Sequence, residues 1–409
     1  MQLRKIGVER YKGYSEPAEL ELAPLTILVG INNAGKTALA QAIQLIAGGF
    51  IPSGKDTPEP LPLQSGGLRH AEQFEDLVTG RTVHGWLRLS AEWAFDSDHL
   101  SFSATVRNVV APPRPSERQV EEWSLGGREH EIKLKRQGFE QGSAYEVSLG
   151  NDRRQHSVVW RGLMPGPAGD IPGWVGAQAE TLKDWASGVR HLRCPRRLIA
   201  SPFSTADYSP GVLGPDGEDT PLVLATDDDL RESVREWYRK AFGVSVEVVA
   251  QGNYFELVAR ALARDANVQL VQAGRGLSHV LPVVATILTA RTLGAGVDII
   301  EHPEAELHPA AHADIAELLL LNLTGPARPL VIETHSELIL LRARRWIAER
   351  RLPPDWVSIY WIHAEPGRGS IVQRIGIHED GRMDGWPDGV FVEDYDEILA
   401  IRRAARPKE

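Results

Sequence analysis

The chain has 409 residues, enough for one large domain or two to three ordinary ones. Hydrophobic residues make up 42% and charged residues 24%, the balance of a water-soluble globular protein, and no apolar run approaches the ~18 residues a membrane span needs. A net charge of −10 excludes a uniformly basic nucleic-acid binder, and Cys194, the only cysteine, excludes an internal disulfide, so a reducing cytoplasm is the expected compartment.

The first 50 residues read as strands, a glycine loop and a helix. Met1 to Lys5 leads into a strand-like segment rather than a signal-peptide core, so no leader is expected. Leu25 to Val29 is an apolar run that predicts a buried strand. Residues 30–37, Gly-Ile-Asn-Asn-Ala-Gly-Lys-Thr, fit G-x-x-x-x-G-K-[ST], and Ala38 to Ala47 follows at helical spacing. Strand, glycine loop and helix in that order are the context a phosphate-binding loop requires. Gly30 and Gly35 let the backbone curl round a phosphate. The loop N–H groups, those of Asn32 and Asn33 among them, and the helix N-terminus then face the anion. Lys36 is placed to reach the β- and γ-phosphates of a nucleotide, and the Thr37 hydroxyl to ligate Mg²⁺.

Residues 51–68 are rich in Pro and Gly and predict a loop. Between 83 and 162, runs such as Trp86–Trp93, Ser101–Val106, Ile132–Lys135 and Tyr145–Leu149 alternate with period two. That predicts an antiparallel sheet with one polar face, read as a structural insertion. From 175 the pattern is mixed. Helices are expected from Asp227 to about Phe242 (stopped by Gly243), Ser278 to Leu293, Pro309 to Leu321 and Glu337 to Arg350. Strands are expected within Val244–Leu262 and at Val297–Ile300, Leu330–Ile332 and Ser358–Ile362. Alternating strands and helices predict an α/β fold with a mainly parallel sheet covered on both faces. The expected organisation is a first half-domain with the glycine loop (1–80), a β-rich insertion (81–165), a second half-domain (166–362) and a tail packed on it (363–409). No repeat, low-complexity tract or long heptad pattern appears.

Ile299-Ile300-Glu301 is an apolar strand ending in a carboxylate, the form of a Walker B segment, so Glu301 is the expected Mg²⁺ ligand, directly or through water. Upstream, Gly274-Arg275-Gly276-Leu277-Ser278-His279 opens a helix whose free N–H groups and dipole favour an anion. Downstream, Glu333-Thr334-His335-Ser336 ends a strand, at the edge where open α/β sheets bind ligands.

Taken together, the Gly-x-Asn-Asn-x-Gly-Lys-Thr loop, the Gly-x-Gly-x-Ser segment, the Glu-x-Pro-Glu-x-x-Leu-His-Pro block at 301–309 and the Glu-Thr-His-Ser segment resemble the ABC-type ATPase heads of the SMC and OLD (overcoming-lysogenization-defect) group. The tail from Glu379 to Phe391 resembles the C-terminal segment of one uncharacterised branch of these ATPases. The resemblance implies a P-loop ATPase head that uses ATP and Mg²⁺. It implies a homodimer in which each nucleotide lies between the loop of one subunit and Gly274, Gly276 and Ser278 of the other. His335 is then the switch histidine. In many such heads an acid that orients water follows the Walker B acid; here His302 stands there, so Glu304 is the expected catalytic carboxylate, with Glu333 as another candidate. Relatives act in DNA repair, DNA maintenance or defence against phage, which makes DNA a candidate partner. The alternative is a slowly hydrolysing, ATP-gated scaffold that holds an effector protein. About 45 residues follow Ile362, too few for a separate nuclease domain, so no DNA cleavage is expected.

Softer expectations concern single residues. Gln64 or Gln73 could serve a Mg²⁺-contacting glutamine loop. Tyr11, Lys12 or Tyr14 could touch adenine, or pack in the core. Glu306 and His308 read as part of an inter-subunit loop. Two basic clusters, Arg190-His191-Arg193-Arg196-Arg197 and Arg342-Arg344-Arg345-Arg350-Arg351, read as a phosphate-tracking groove or, more commonly, as solvated faces.

Overall fold

The computed structural model describes residues 1–51, 59–95, 98–110, 117–138, 144–166, 171–196, 203, 213–251, 254–262 and 266–386. Strands β1 (Gln2–Glu9), β2 (Ala18–Glu21) and β3 (Leu25–Gly30) lead into helix α1 (Lys36–Phe50). A two-residue hairpin follows, β4 (Gln64–Ser65) with β5 (Leu68–Arg69). Next comes a meander of six strands: β6 (Trp86–Phe95), β7 (Asp98–Val109), β8 (Glu117–Gly126), β9 (Glu131–Arg136), β10 (Tyr145–Leu149) and β11 (Asp152–His156). The short pair β12 (Trp160–Arg161) and β13 (Met164–Pro165) precedes α2 (Gly173–Ser187), β14 (Val189–Leu192), α3 (Thr220–Thr226) and α4 (Asp228–Phe242). Three strands, β15 (Val244–Gln251), β16 (Tyr254–Ala261) and β17 (Ala266–Gln269), form a small antiparallel sheet. The chain closes with α5 (Arg275–Thr289), β18 (Val297–Glu301), α6 (Pro309–Leu321), β19 (Leu330–Glu333), α7 (Glu337–Ala348), β20 (Val357–Glu365) and β21 (Gly369–Ile375).

Two large sheets organise the molecule. One has the order β14-β18-β19-β3-β20-β21, parallel except for β21. The other is antiparallel, β11-β10-β9-β8-β7-β6-β1-β2. All six residues of β3 are buried, as a strand covered on both faces must be. Its side chains divide between two cores. Leu28 packs with α1, α2 and the antiparallel sheet, while Leu25, Ile27 and Val29 pack with α4, α5, α6 and α7. Helix α1 is therefore clamped between the two sheets, and this explains why most of its residues are buried. Phe50 meets Trp93 and Phe102 edge-on, with centroids 5.9 and 5.0 Å away, and Trp93 meets Trp185 of α2 at 5.2 Å. Each such pair adds roughly 0.5–1.5 kcal/mol beyond area burial.

The meander is not a detached insertion. β6 pairs antiparallel with β1, Ile6 facing Ala91 and Val8 facing Leu89, so the β-rich region extends the N-terminal strands and shares their core. The expected boundary near residue 80 divides one continuous sheet. Helix α4 matches its expected ends: the Asp227 side chain accepts the Leu230 N–H, and Gly243 closes the helix in the left-handed region. Helix α5 starts three residues earlier than expected, with Gly274 as its cap. Of the tail that resembles a known branch, residues 387–391 lie outside the described residues, as does Arg197. No helix among the described residues is long and apolar enough to cross a membrane.

Candidate functional site

The site lies at the C-terminal ends of β3, β18 and β19. β3 delivers Gly30, where an added Cβ would collide with the Ile362 carbonyl of the adjacent β20, so only glycine fits. Gly35 caps α1, and the Tyr14 hydroxyl donates to its carbonyl at 2.9 Å. Lys36 is 3% exposed; its Nζ donates to the carbonyls of Gly30 (3.0 Å) and Ile31 (2.9 Å). The ammonium thus sits inside the curl of the loop, where a phosphate would compete for it. Asn32 and Asn33 are exposed on the same loop, Asn33 with φ 64°.

The carboxylate beside this loop is Glu333. Thr37 Oγ1 donates to it at 2.8 Å, and Lys36 Nζ lies 3.7 Å from its Oε1. The sequence assigns this place to Glu301. Sheet order gives the reason for the difference: β19 is the neighbour of β3, and β18 is one strand further out. Glu301 and Glu333 stand in register at the two strand ends. Glu301 instead meets His191 Nε2 at 2.8 Å and accepts the Cys194 N–H at 3.0 Å. Burial pushes the Glu333 carboxyl up, but His302, Thr37 and Lys36 more than offset it and hold the group below the usual range.

Two histidines stack over these carboxylates, ring centroids 4.9 Å apart and planes 7° from parallel. His302 Nε2 is 3.5 Å from Glu333 Oε1, and its Nδ1 is 3.9 Å from Glu304 Oε1. Burial disfavours its charge, yet the facing Glu304 and Glu333 carboxylates push it up to about 9. His335 moves the other way: burial lowers it, and the charges of Lys36 and His302 lower it further. The stack is an imidazolium against a neutral imidazole at neutral pH. Glu304, 7% exposed, is raised by burial and lowered by His302 and by the His335 N–H it accepts at 2.7 Å, with the lowering dominant. Its Oε2 is buried without a partner.

The Gly274–Ser278 segment packs in cis on the block that follows β18. At Gly276 a Cβ would lie 2.6 Å from the Glu306 carbonyl, so glycine permits this close approach. The Arg275 guanidinium is 3.7 Å from the Glu306 carboxylate, and His308 caps α6 by accepting the Ala310 N–H. Ser278 does not present its hydroxyl outward: the residue is 2% exposed and Oγ donates to the Arg275 carbonyl at 3.1 Å. The donors left free at this end are the first-turn N–H groups of Arg275, Gly276 and Leu277, since the Ser278 N–H already reaches the Gly274 carbonyl.

Other expectations are corrected. Tyr11 and Tyr14 are fully buried and cannot stack on a base; Lys12 donates to Gln41 Oε1 at 2.8 Å. Gln73 caps a short 3₁₀ turn, and Gln64 is exposed in a hairpin. Members of the basic clusters find partners within the chain, Arg190 with Asp298, Arg193 with Asp216, Arg196 with the Glu301 and His302 carbonyls, and Arg342 and Arg351 with Glu317, while Arg345, Arg350 and Arg351 are exposed, as a solvated face requires. His191 and Tyr14 were legible only as a cluster member and a base contact; no local signal marks them as supports of Glu301 and the loop.

Residues 1–55 match the family model of an AAA ATPase domain. Residues 209–342 match that of an AAA domain described as a putative AbiEii toxin of a type IV toxin–antitoxin system. No curated protein matches the chain. Among solved structures the chain is similar to an SMC head bound to the C-winged helix domain of ScpA, with 13% identity and a TM-score of 0.51 over 92% of this chain and 98% of that one. The SMC head from Thermotoga maritima gives 12% identity and 0.42 over 92% and 100% of the two chains. The Pyrococcus furiosus Smc head with an extended coiled coil, bound to the C-terminal domain of ScpA, gives 12% and 0.48 over 98% and 99%. At such identity the first likeness speaks to the fold alone.

Proposed function

We propose that this chain, parts of which match AAA ATPase domain models and whose fold is similar to an SMC head, binds ATP with Mg²⁺, hydrolyses it, and pairs with a second copy around the nucleotide. The observation that carries this is the convergence of Lys36, Thr37, Glu333, His302, His335 and Glu304 on the mouth of the glycine loop. Phosphoryl transfer asks the protein for positioning and charge neutralisation, and this cluster offers both. The Thr37 hydroxyl and the ionised Glu333 carboxylate supply the oxygen ligands a hard cation requires, with Glu301 one strand away. Mg²⁺, when bound, neutralises charge on the β- and γ-phosphates.

The protein's own groups divide the remaining work. Lys36 exchanges the Gly30 and Ile31 carbonyls for phosphate oxygens. The His302 imidazolium adds a fixed positive charge; being protonated, it cannot act as the base. Glu304 keeps an ionised oxygen without a partner and is the carboxylate we assign to orient the attacking water. His335, neutral, is free to donate to the γ-phosphate. The second copy would add the first-turn N–H groups of α5 rather than the Ser278 hydroxyl. Only a ligand that binds the closed state more tightly than the open one can drive closure, and the γ-phosphate is what these groups distinguish.

A role in DNA maintenance or anti-phage defence, in the cytoplasm and with DNA or an effector protein as partner, goes with this reading, as does the absence of intrinsic nuclease activity. The scaffold alternative draws on His302: an imidazolium where a water-orienting acid is usual favours slow turnover. The test is ATP turnover per subunit across a dilution series, with Lys36→Ala as the inactive control. Turnover should fall as the protein becomes monomeric. A rate per subunit that stays flat into the monomeric range would refute the shared site. A rate equal to that of Lys36→Ala throughout would leave ATP-gated binding without catalysis.

A further inference from the structure

The ladder that β18 makes with β14 ends at Leu192 and Ile300, and the one it makes with β19 ends at Glu301 and Glu333. Beyond that point no sheet holds the chain, yet the next three residues include His302 and Glu304. Past Leu192 the neighbouring segment runs on beside this strand end and brings Arg196 there, 3% exposed. A guanidinium so deeply buried normally meets a carboxylate, because burial strips its charge of water. Among the described residues no carboxylate comes within ion-pairing distance of this one. Its partners are backbone oxygens: Nη2 donates to the Glu301 carbonyl at 2.5 Å, and Nη1 and Nη2 each reach the His302 carbonyl at 3.3 Å.

The backbone it grips is strained. His302 has φ 43°, in the left-handed region that side chains other than glycine rarely enter and hold only where the surroundings enforce it. From the β19 side, the Glu333 carbonyl accepts the His302 N–H at 2.7 Å. From the other side stands Arg196. The His302 carbonyl also accepts the Ala305 N–H at 3.0 Å, which closes a tight turn over residues 302–305 with Pro303 second and Glu304 third. Glu304 leaves this turn to accept the His335 N–H at 2.7 Å. The direction of its carboxylate is therefore inherited from a bend with two external supports.

We propose that Arg196 is a positioning residue: its guanidinium clamps the carbonyls on both sides of the His302 bend and so sets the turn from which Glu304 orients the attacking water. The catalytic half of this rests on the ATPase reading above; the clamp does not. A planar fork is what the task requires, since two donors fixed in one plane bridge two adjacent acceptors, and an ammonium on a flexible stem does not.

Arg196→Lys keeps the charge and loses the fork, so it is the variant to measure, in the full chain. It is expected to lower kcat about tenfold while KM and the affinity for a fluorescent ATP analogue stay within about twofold. In Glu304→Gln, where the carboxylate is already gone, adding Arg196→Lys should lower kcat by less than about twofold more. Losses that multiply in the double variant overturn the proposal, because a residue that merely supports the fold acts independently of Glu304. So does wild-type kcat in Arg196→Lys. Amide hydrogen exchange without nucleotide reads the clamp alone: a peptide over 301–307 should exchange about tenfold faster in Arg196→Lys, with β6 to β8 unchanged. Unaltered exchange at 301–307, or a rise throughout the molecule, overturns the clamp. Should the wild type turn over no faster than Lys36→Ala, the ATPase reading fails, and the exchange measurement still decides whether Arg196 holds the bend.

Discussion

β18 and β19 lie side by side, run parallel and each end on a buried glutamate, yet their carboxylates face different work. Glu333 gathers the groups of the glycine loop, Thr37 and Lys36, and sits under His302. Glu301 is held by His191 and the Cys194 N–H, on the side of the sheet edge. The same local pattern, apolar strand then acid, gives two roles because one strand touches β3 and the other does not. Position in the sheet, set by contacts far apart in sequence, decides which acid meets the phosphate loop.

The largest effect should come from exchanging charge for amide at each. Glu333→Gln is expected to lower ATP turnover roughly 100-fold and to raise the Mg²⁺ needed for half-maximal activity about tenfold, in line with losing one preorganised charged group. Glu301→Gln should lower turnover less than tenfold. A Mg²⁺ titration of the two variants reads the difference, and the reverse ranking would break the comparison.

His302 bridges the two carboxylates on the loop side, and its titration gives the next effect. Its folded-state value is raised above the usual 6.5, to about 9. The stability it contributes is therefore full below about pH 6.5 and is lost as pH rises through about 9, up to roughly 3 kcal/mol. Thermal melts from pH 7 to 10 should show the wild type losing this increment while His302→Gln does not. Parallel slopes for the two proteins would show that the imidazolium is not the charged partner of Glu304 and Glu333.

Gly276→Ala tests the cis packing. The new Cβ would sit 2.6 Å from the Glu306 carbonyl, and the strain should cost about 1–3 kcal/mol in denaturant unfolding. Stability unchanged with turnover lost would mean the glycine serves a phosphate and not the block after β18. The smallest effect is expected for Ser278→Ala. Its hydroxyl faces the helix interior, so turnover should change less than about threefold, for a loss of about 0.5–1.5 kcal/mol in stability. A collapse of turnover in this variant would restore the serine as a nucleotide contact.

Much of this was readable in the chain. The loop from Gly30 to Thr37, the alternation of strands and helices after 175, and the period-two runs between 83 and 162 all specify local geometry, and local geometry is what residue spacing encodes. What spacing could not give was neighbourhood. Leu330-Val331-Ile332-Glu333 carries the same signal as Ile299-Ile300-Glu301, and nothing within either stretch says which pairs with β3. The pairing of β6 with β1 was hidden for the same reason, so a continuous sheet read as an insertion. The orientation of Ser278 was missed because α5 begins at Arg275, one turn earlier than the apolar periodicity alone suggests, which turns the serine inward. The arginine clusters behave largely as their commoner reading has it: Arg345, Arg350 and Arg351 stay exposed, while Arg190 and Arg193 disperse onto Asp298 and Asp216.

The placement of β3 has one more consequence, for the making of the molecule. Its hydrogen-bonded neighbours, β19 and β20, leave the ribosome only after residues 333 and 365. At ~5–20 residues per second, translation leaves this strand without its flanking partners for on the order of 15–60 seconds. A nascent chain of this protein should therefore gain its nucleotide pocket late and all at once. Ribosome-bound fragments that stop before α6 would carry the full glycine motif and still be unable to use it.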